Sequence, residues 1–300
     1  MRLLLVFLFV FRVCDGKKVD EAENEELQNS VCGKNVSGSG GTSSDDSVSP
    51  APWTIWIDDD VTKKTFAGSL ISSRHIVTSS ALLFRNINSF VLKASGRKLN
   101  VVDSPVEIPL EDVPKMKVFA CRRRADCDTK EWTSIEKATY IGAIEQSKSS
   151  FGLLVLEMTS NDEVKKEAVP VCLANRRIIG ENGDEVQVVR LKNGQSNKVN
   201  VGKARATDCS FAEHPDVSVC FFGRICDTDV GTLFFKTVDG RATAVAVFHA
   251  DVCGVTAAAP HVDISKLTSE ICQVTGVCVT SASSEVFLLT SALLISFLMF

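Results

Sequence analysis

Hydrophobic and polar positions in this chain alternate in short runs rather than in long helical stripes. Trp53 to Ile57, Phe66 to Ile71 and His75 to Ser79 are β-prone runs set between turn residues. Phe90 to Lys93, Lys117 to Ala120, Leu153 to Met158, Val186 to Leu191, Val199 to Ala206, Thr232 to Thr237 and Thr243 to His249 continue the pattern. Many short strands with turns between them predict an all-β sandwich or a pair of barrels. Helical periodicity is concentrated at Asp263 to Val274, and Lys17 to Gln28 is a charged stretch of helical character.

The ends of the chain follow different rules. Met1 to Val13 is a short apolar run opening with Arg2 and followed by Cys14-Asp15-Gly16, which predicts a signal peptide over residues 1–16. The run is too short to span a bilayer comfortably, which argues against an uncleaved anchor. Asn35 to Pro52 is rich in Ser, Gly, Asp and Pro and reads as a linker, so residues 17–50 form an N-terminal segment and linker ahead of a main domain over 51–275. Residues 276–300 form a spacer and a hydrophobic tail, of which Val286 to Phe300 carries no charge. A lipid-anchor signal, with attachment at Gly276 or within Ser281-Ala282-Ser283-Ser284, fits this tail better than a membrane helix, which wants about 20 apolar residues. Either reading puts the protein in the secreted route or on the extracellular face of the plasma membrane, held through its C-terminal tail.

Composition narrows the chemistry. Three hundred residues, 45% of them hydrophobic, can bury a sizeable core. The net charge of -4 and a pI near 5.7 give no basic footprint for a nucleic acid. Of eleven cysteines, ten remain once Cys14 leaves with the signal peptide, and an even number in a secreted chain predicts a disulfide framework. No Cys-x2-Cys pair exists and the four histidines are scattered, so neither a zinc site nor any other metal or cofactor is implied. Asn35-Val36-Ser37 is an N-glycosylation sequon. Arg122-Arg123-Arg124 reads as a solvated charged face, or as a basic knob for an anionic glycan.

Several fragments then fall in a meaningful order. Pro52-Trp53 leads an apolar strand. Gly68 to Ser80 reads Gly-Ser-Leu-Ile-Ser-Ser-Arg-His-Ile-Val-Thr-Ser-Ser, and Phe151-Gly152-Leu153-Leu154-Val155-Leu156 follows. Val169-Pro170-Val171-Cys172-Leu173, then Cys226-Asp227-Thr228-Asp229-Val230-Gly231-Thr232-Leu233, then Val245 to Gly254 complete the series. In order and spacing over residues 51–275 the chain resembles the trypsin-like serine proteases, and its N-terminal cysteine segment resembles divergent secreted members of nematode type. The resemblance implies two antiparallel six-stranded β-barrels, disulfide-bonded and closed by a short C-terminal helix, with the cleft between the barrels.

A serine protease needs a hydroxyl nucleophile, a base and a carboxylate that orients the base. By the resemblance those three slots hold Val230, Ala81 and Ser150. His75 lies six residues before the base slot and reads as structural. Ser79 and Ser80 lie beside the wrong element, and His214, His249 and His261 read as ordinary surface or loop histidines. Arg224, Thr228, Asp229, Phe248, His249 and Ala250 fall where the family builds its pocket and oxyanion site. The resemblance pairs Cys226 with Cys253, Cys209 with Cys220 and Cys32 with Cys172, and leaves Cys121–Cys127 and Cys272–Cys278 as the simplest local pairs. The resulting expectation is a protease homologue without catalysis: a monomer that binds a protein partner or an anionic glycan as decoy, scaffold or regulator. The alternatives are an active endopeptidase with displaced catalytic residues and a purely structural surface protein.

Overall fold

The computed structural model describes residues 18–34, 49–85, 90–99, 104–121, 132–142, 150–159, 169–174, 178, 182–191, 199–210, 212–222, 230–249 and 258–279. The signal-peptide region, the sequon at Asn35, the arginine run and the hydrophobic tail lie outside them. So do Arg224, Thr228, Asp229 and Ala250, with Cys127, Cys226 and Cys253.

The first half of the chain forms an antiparallel sheet of β1 (Thr54–Asp59), β2 (Thr65–Leu70), β3 (His75–Ser79), β4 (Val106–Ile108), β5 (Met116–Ala120), β6 (Ile135–Gly142) and β7 (Gly152–Met158). Their spatial order is β4-β6-β7-β3-β2-β1-β5. An isolated bridge from Val118 to Thr133 draws edge strand β5 toward the start of β6. β3 and β7 are buried at every position. That suits the apolar stretch Leu153 to Leu156 of β7, because a strand covered on both faces has no reason to alternate, while β3 buries His75, Thr78 and Ser79, whose side chains hydrogen-bond inside the fold.

The second half contains β8 (Cys172–Leu173), β9 (Glu185–Leu191), β10 (Val199–Thr207), β11 (Ser218–Phe222), β12 (Leu233–Val238), β13 (Arg241–Val247) and β14 (Ala259–Asp263). Six of them run β12-β9-β10-β11-β14-β13, and pairing of β12 with β13 closes them into a barrel. β8 adds to β13 from outside and is parallel to it. The β12–β13 hairpin turns on Asp239-Gly240, both with positive φ (49° and 76°), the conformation that a two-residue turn of matching twist requires. β10 alternates, with Ala204 and Ala206 buried and Lys203 exposed between β-neighbours, as a strand with one wet face should.

The all-β double-sheet architecture and the short C-terminal helix match the expectation. The helical run resolves into a 3-10 turn, Ile264–Lys266, and helix α2 (Thr268–Thr275), which stops at Gly276 in the left-handed conformation. Pattern alone misses β4, β6, β8, β11 and β14. β4 and β8 are three and two residues long, and β6 opens Ile-Glu-Lys, which has no strand alternation. Phe90 to Lys93 is held by isolated bridges rather than a ladder.

Residues 18–34 pack onto this body. Helix α1 (Glu21–Glu26) is capped by Asp20, whose side chain accepts from Glu23 N–H at 2.8 Å, and it continues as a π-helical turn, Leu27–Val31. Asn24 closes a two-way amide contact with the end of the C-terminal helix: Nδ2 donates to Cys278 O at 2.8 Å and Oδ1 accepts from Cys278 N–H at 3.0 Å. Arg74 reaches Glu23 at 2.7 Å, and Arg241 donates to the carbonyls of Gln28 and Asn29. Cys32–Cys172 bolts the segment to β8, while Cys209–Cys220 and Cys272–Cys278 are also formed. Cys121 is disulfide-bonded to a cysteine outside the described residues.

Replacing Cys32 and Cys172 together by alanine is expected to cost about 3–5 kcal/mol, because the bridge closes a long loop of 140 residues. A lower urea midpoint at unchanged slope would show it. An unaltered midpoint would mean that the hydrogen bonds of residues 18–34 hold the segment without the bridge.

Candidate functional site

The two sheets meet along a seam between Ala67, Thr78 and Ser79 on one side and Val230, Gly231 and His249 on the other. Ser79 ends β3. Its hydroxyl accepts from Ala81 N–H at 3.1 Å and so starts the 3-10 turn Ser80–Leu82 that positions Ala81. Ser80 Oγ donates to the carbonyl of Ser150 at 2.7 Å, which ties the turn that holds Ala81 to the chain leading into β7. On the other side of the seam, the Val230 carbonyl accepts from Ala67 N–H at 2.8 Å. Ala67 O in turn accepts from Thr78 Oγ1 at 2.5 Å.

Gly231 is the tightest point. Its φ is +89°, and a Cβ there would lie 1.9 Å from Ala67 O and 2.3 Å from Thr78 Oγ1. Its N–H donates to Phe248 O at 2.8 Å, and Phe248 N–H donates to Thr232 O at 2.8 Å. No side chain fits such an approach, and only glycine takes that φ without strain. Sequence, backbone and seam are therefore coupled at one residue.

Behind the slots lies a cluster that sequence reasoning did not assemble. Ser79 Oγ is 3.0 Å from His249 Nδ1. Phe151, the residue after Ser150, meets His249 edge-on at 4.7 Å and stacks on His214 at 5.7 Å. Phe248 leads on to His261 at 5.1 Å, and His261 also faces Phe221 and Phe234 at 5.6 and 4.7 Å. The histidines at 214, 249 and 261 are all buried, which corrects the surface reading; His214 and His249 lie in loops as expected, whereas His261 lies within β14. Phe248 and His249 are each 1% exposed, so they sit within the seam rather than lining an open pocket. The signal that could have found them is strand parity. His261 shares the inward face of β14, and His249 follows directly on the apolar run of β13.

Burial governs the electrostatics. It lowers His249 from 6.5 to about 4, helped by His214, and lowers His261 to about 3, helped by His249. His75 is lowered to about 3 by burial and then by Arg74; its Nδ1 lies 2.8 Å from Ser72 Oγ. Neither ring nitrogen of His261 has a hydrogen-bond partner among the described residues. The Ser79–His249 pair has the outline of a nucleophile and its base. Ser79 is 0% exposed, however, and an imidazole pushed to about 4 is a poor acceptor of a proton near neutrality. Among the described residues no group of His, Cys, Asp or Glu could hold a metal ion. No helix among them is long and apolar enough to cross a membrane.

These features fit a trypsin-like architecture, with its sheets joined at the nucleophile loop. A family model of nematode trypsin-6-like proteins matches residues 1–278, and the chain belongs to that family. No curated protein matches the chain.

Gly231→Ala is expected to destabilise the fold by at least about 3 kcal/mol, since it adds both a clash and left-handed strain. Chemical unfolding measures it, and a loss under 1 kcal/mol would mean that the seam can spread. The buried histidines set a pH dependence. The folded values of His75, His249 and His261 are depressed by burial, so the unfolded chain binds protons that the folded chain refuses. Stability is full above about pH 6.5 and is withdrawn as pH falls from there toward each folded value. At about 1.4 kcal/mol per histidine per pH unit, a fall to pH 5 costs each roughly 2 kcal/mol. His261→Phe is expected to gain about 1 kcal/mol at pH 7 by removing unpaired polar atoms, and to lose less than the wild type between pH 7 and 5. Equal losses in the two proteins would overturn this account of His261.

Proposed function

We propose that this chain is a catalytically inactive trypsin-like protein, secreted or held at the cell surface by its C-terminal tail. It acts by binding, as decoy, scaffold or regulator, and its partner is a protein or an anionic glycan. The observation that carries the reading is the content of the three slots: Ala81, Ser150 and Val230 supply no base, no carboxylate and no nucleophile. The Ser80–Ser150 and Ala67–Val230 hydrogen bonds support placing these positions near one another. The disulfides support an oxidising compartment. A tethered fold that keeps its framework without its chemistry retains surface and shape, which are what binding uses.

One observation favours a second reading, an active endopeptidase with displaced residues: the 3.0 Å contact between Ser79 Oγ and His249 Nδ1. Both readings are tested on the full chain made by a secretory route. A fluorophosphonate probe and a peptide-cleavage panel are expected to give no signal. Loss of a triad lowers turnover by about 10^6-fold in a comparable enzyme. Labelling that disappears in Ser79→Ala would establish the second reading and end the first.

A further inference from the structure

We propose that Phe151, shared by His214 and His249, forms with Ser79 an acid-operated latch between the two sheets, which opens on acidification before either sheet unfolds. This reaches beyond the binding role and does not depend on it.

The latch rests on where its parts come from. Ser79 closes β3 and Phe151 leads into β7, so both belong to the first sheet. His249 follows β13 and His214 precedes β11, so both belong to the second. Each contact, Ser79 with His249 at 3.0 Å, Phe151 with His249 at 4.7 Å and Phe151 with His214 at 5.7 Å, therefore crosses between the sheets. All four partners are at least nine-tenths buried: Ser79 0%, His249 1%, Phe151 5% and His214 7% exposed.

A proton arriving here finds little to receive it. Among the described residues, the titratable group acting on His249 is His214 across Phe151, and His249 acts in turn on His261 beyond Phe248. The first sheet presents Ser79 and Phe151, which do not ionise in this range. Glu213 and Asp216 flank His214 on its own segment. A charge on His249 enters a buried site beside a second imidazole, and burial sets its proton uptake near pH 4. His75 and His261 take theirs up lower, at about 3, and each lies inside one sheet rather than between the two. Parting the seam hydrates His249 while breaking few contacts, whereas hydrating His75 or His261 requires a sheet or barrel to come apart. Local opening of this kind lies below global unfolding in free energy.

Hydrogen exchange followed by mass spectrometry on the full chain, from pH 7 to 4.5 and corrected for intrinsic rates, reads the latch. The N–H of Ala67, bonded to Val230 O, crosses between the sheets and reports the seam. The N–H groups along β7 and along β9–β10 report the sheets. The Ala67 amide is expected to lose at least tenfold in protection by pH 5 and to stay well below the sheet amides, which exchange only through global unfolding. His249→Asn, which retains an acceptor toward Ser79 but does not titrate, should remove that loss. If the variant does not fold, the His249 ring signal in wild-type NMR replaces it, and its titration should coincide with seam exchange. An Ala67 amide as well protected as the sheet amides throughout the range would overturn the proposal. So would an acid loss at Ala67 that survives His249→Asn, or one that occurs over a pH interval in which the His249 ring takes up no proton.

Discussion

The backbone approach at Gly231 is the constraint on which the arrangement of the two sheets depends. The chain at 230–231 lies against β2, exchanging Ala67 N–H for the Val230 carbonyl and leaving no room for a Cβ. Once that approach is made, Gly231 N–H reaches Phe248 O and places the end of β13 beside β3. Ser79 can then reach His249, and Trp53 can set its edge against Phe235 across the sheets at 5.1 Å. Spreading the chain at Gly231 by the width of a methyl group would separate each of these pairs. Dispersion and short hydrogen bonds fall off steeply with distance, so the loss would be cooperative.

The seam is polar, and its polar groups are spent on backbone. Thr78 bonds Ala67 O and Ser80 bonds Ser150 O, while Ser79 accepts from Ala81 N–H. A buried hydroxyl costs little when it closes such a bond and a good deal when it does not. The exceptions include Thr232 Oγ1, Trp53 Nε1 and, among the imidazoles, His249 Nε2, His75 Nε2 and both nitrogens of His261, which lack partners among the described residues. The same rule that quiets the hydroxyls therefore leaves the histidines as the seam's and the core's acid-sensitive elements.

Much of the fold was legible because it is written in local terms. Runs such as Leu153 to Met158 and Val199 to Ala206 carry their strand character within six or eight residues, and the Cys32–Cys172 pair follows from the family resemblance. β4 and β8 were illegible because so short a strand exists only through its partner. The packing of residues 18–34 was hidden for another reason. Lys17 to Gln28 reads as a charged, water-facing helix, yet Asn24 and Leu27 form its buried face, and their partners lie some 250 residues away in the chain, as at Cys278, or in β8 through Cys32. Of the candidate site, the slots at Ala81, Ser150 and Val230 could be read from motif order. The cluster of Ser79, Phe151, His214 and His249 could not, since four elements supply one residue each and no spacing marks them.

The two uses to which a serine and a histidine can be put differ in what surrounds them. A catalytic pair must touch the substrate, so its hydroxyl faces a cleft, and its imidazole must change protonation near the working pH. In this chain the hydroxyl of Ser79 is enclosed, shared with Ala81 N–H, and set against an imidazole that burial holds near 4. Every one of those features strengthens a join between two sheets and weakens a nucleophile. Exposing Ser79 enough to react would cut the hydrogen bond that crosses the seam. Within this geometry, reactivity at Ser79 and cohesion of the seam compete for the same atom, and the burial of both partners is the physical reason that cohesion prevails.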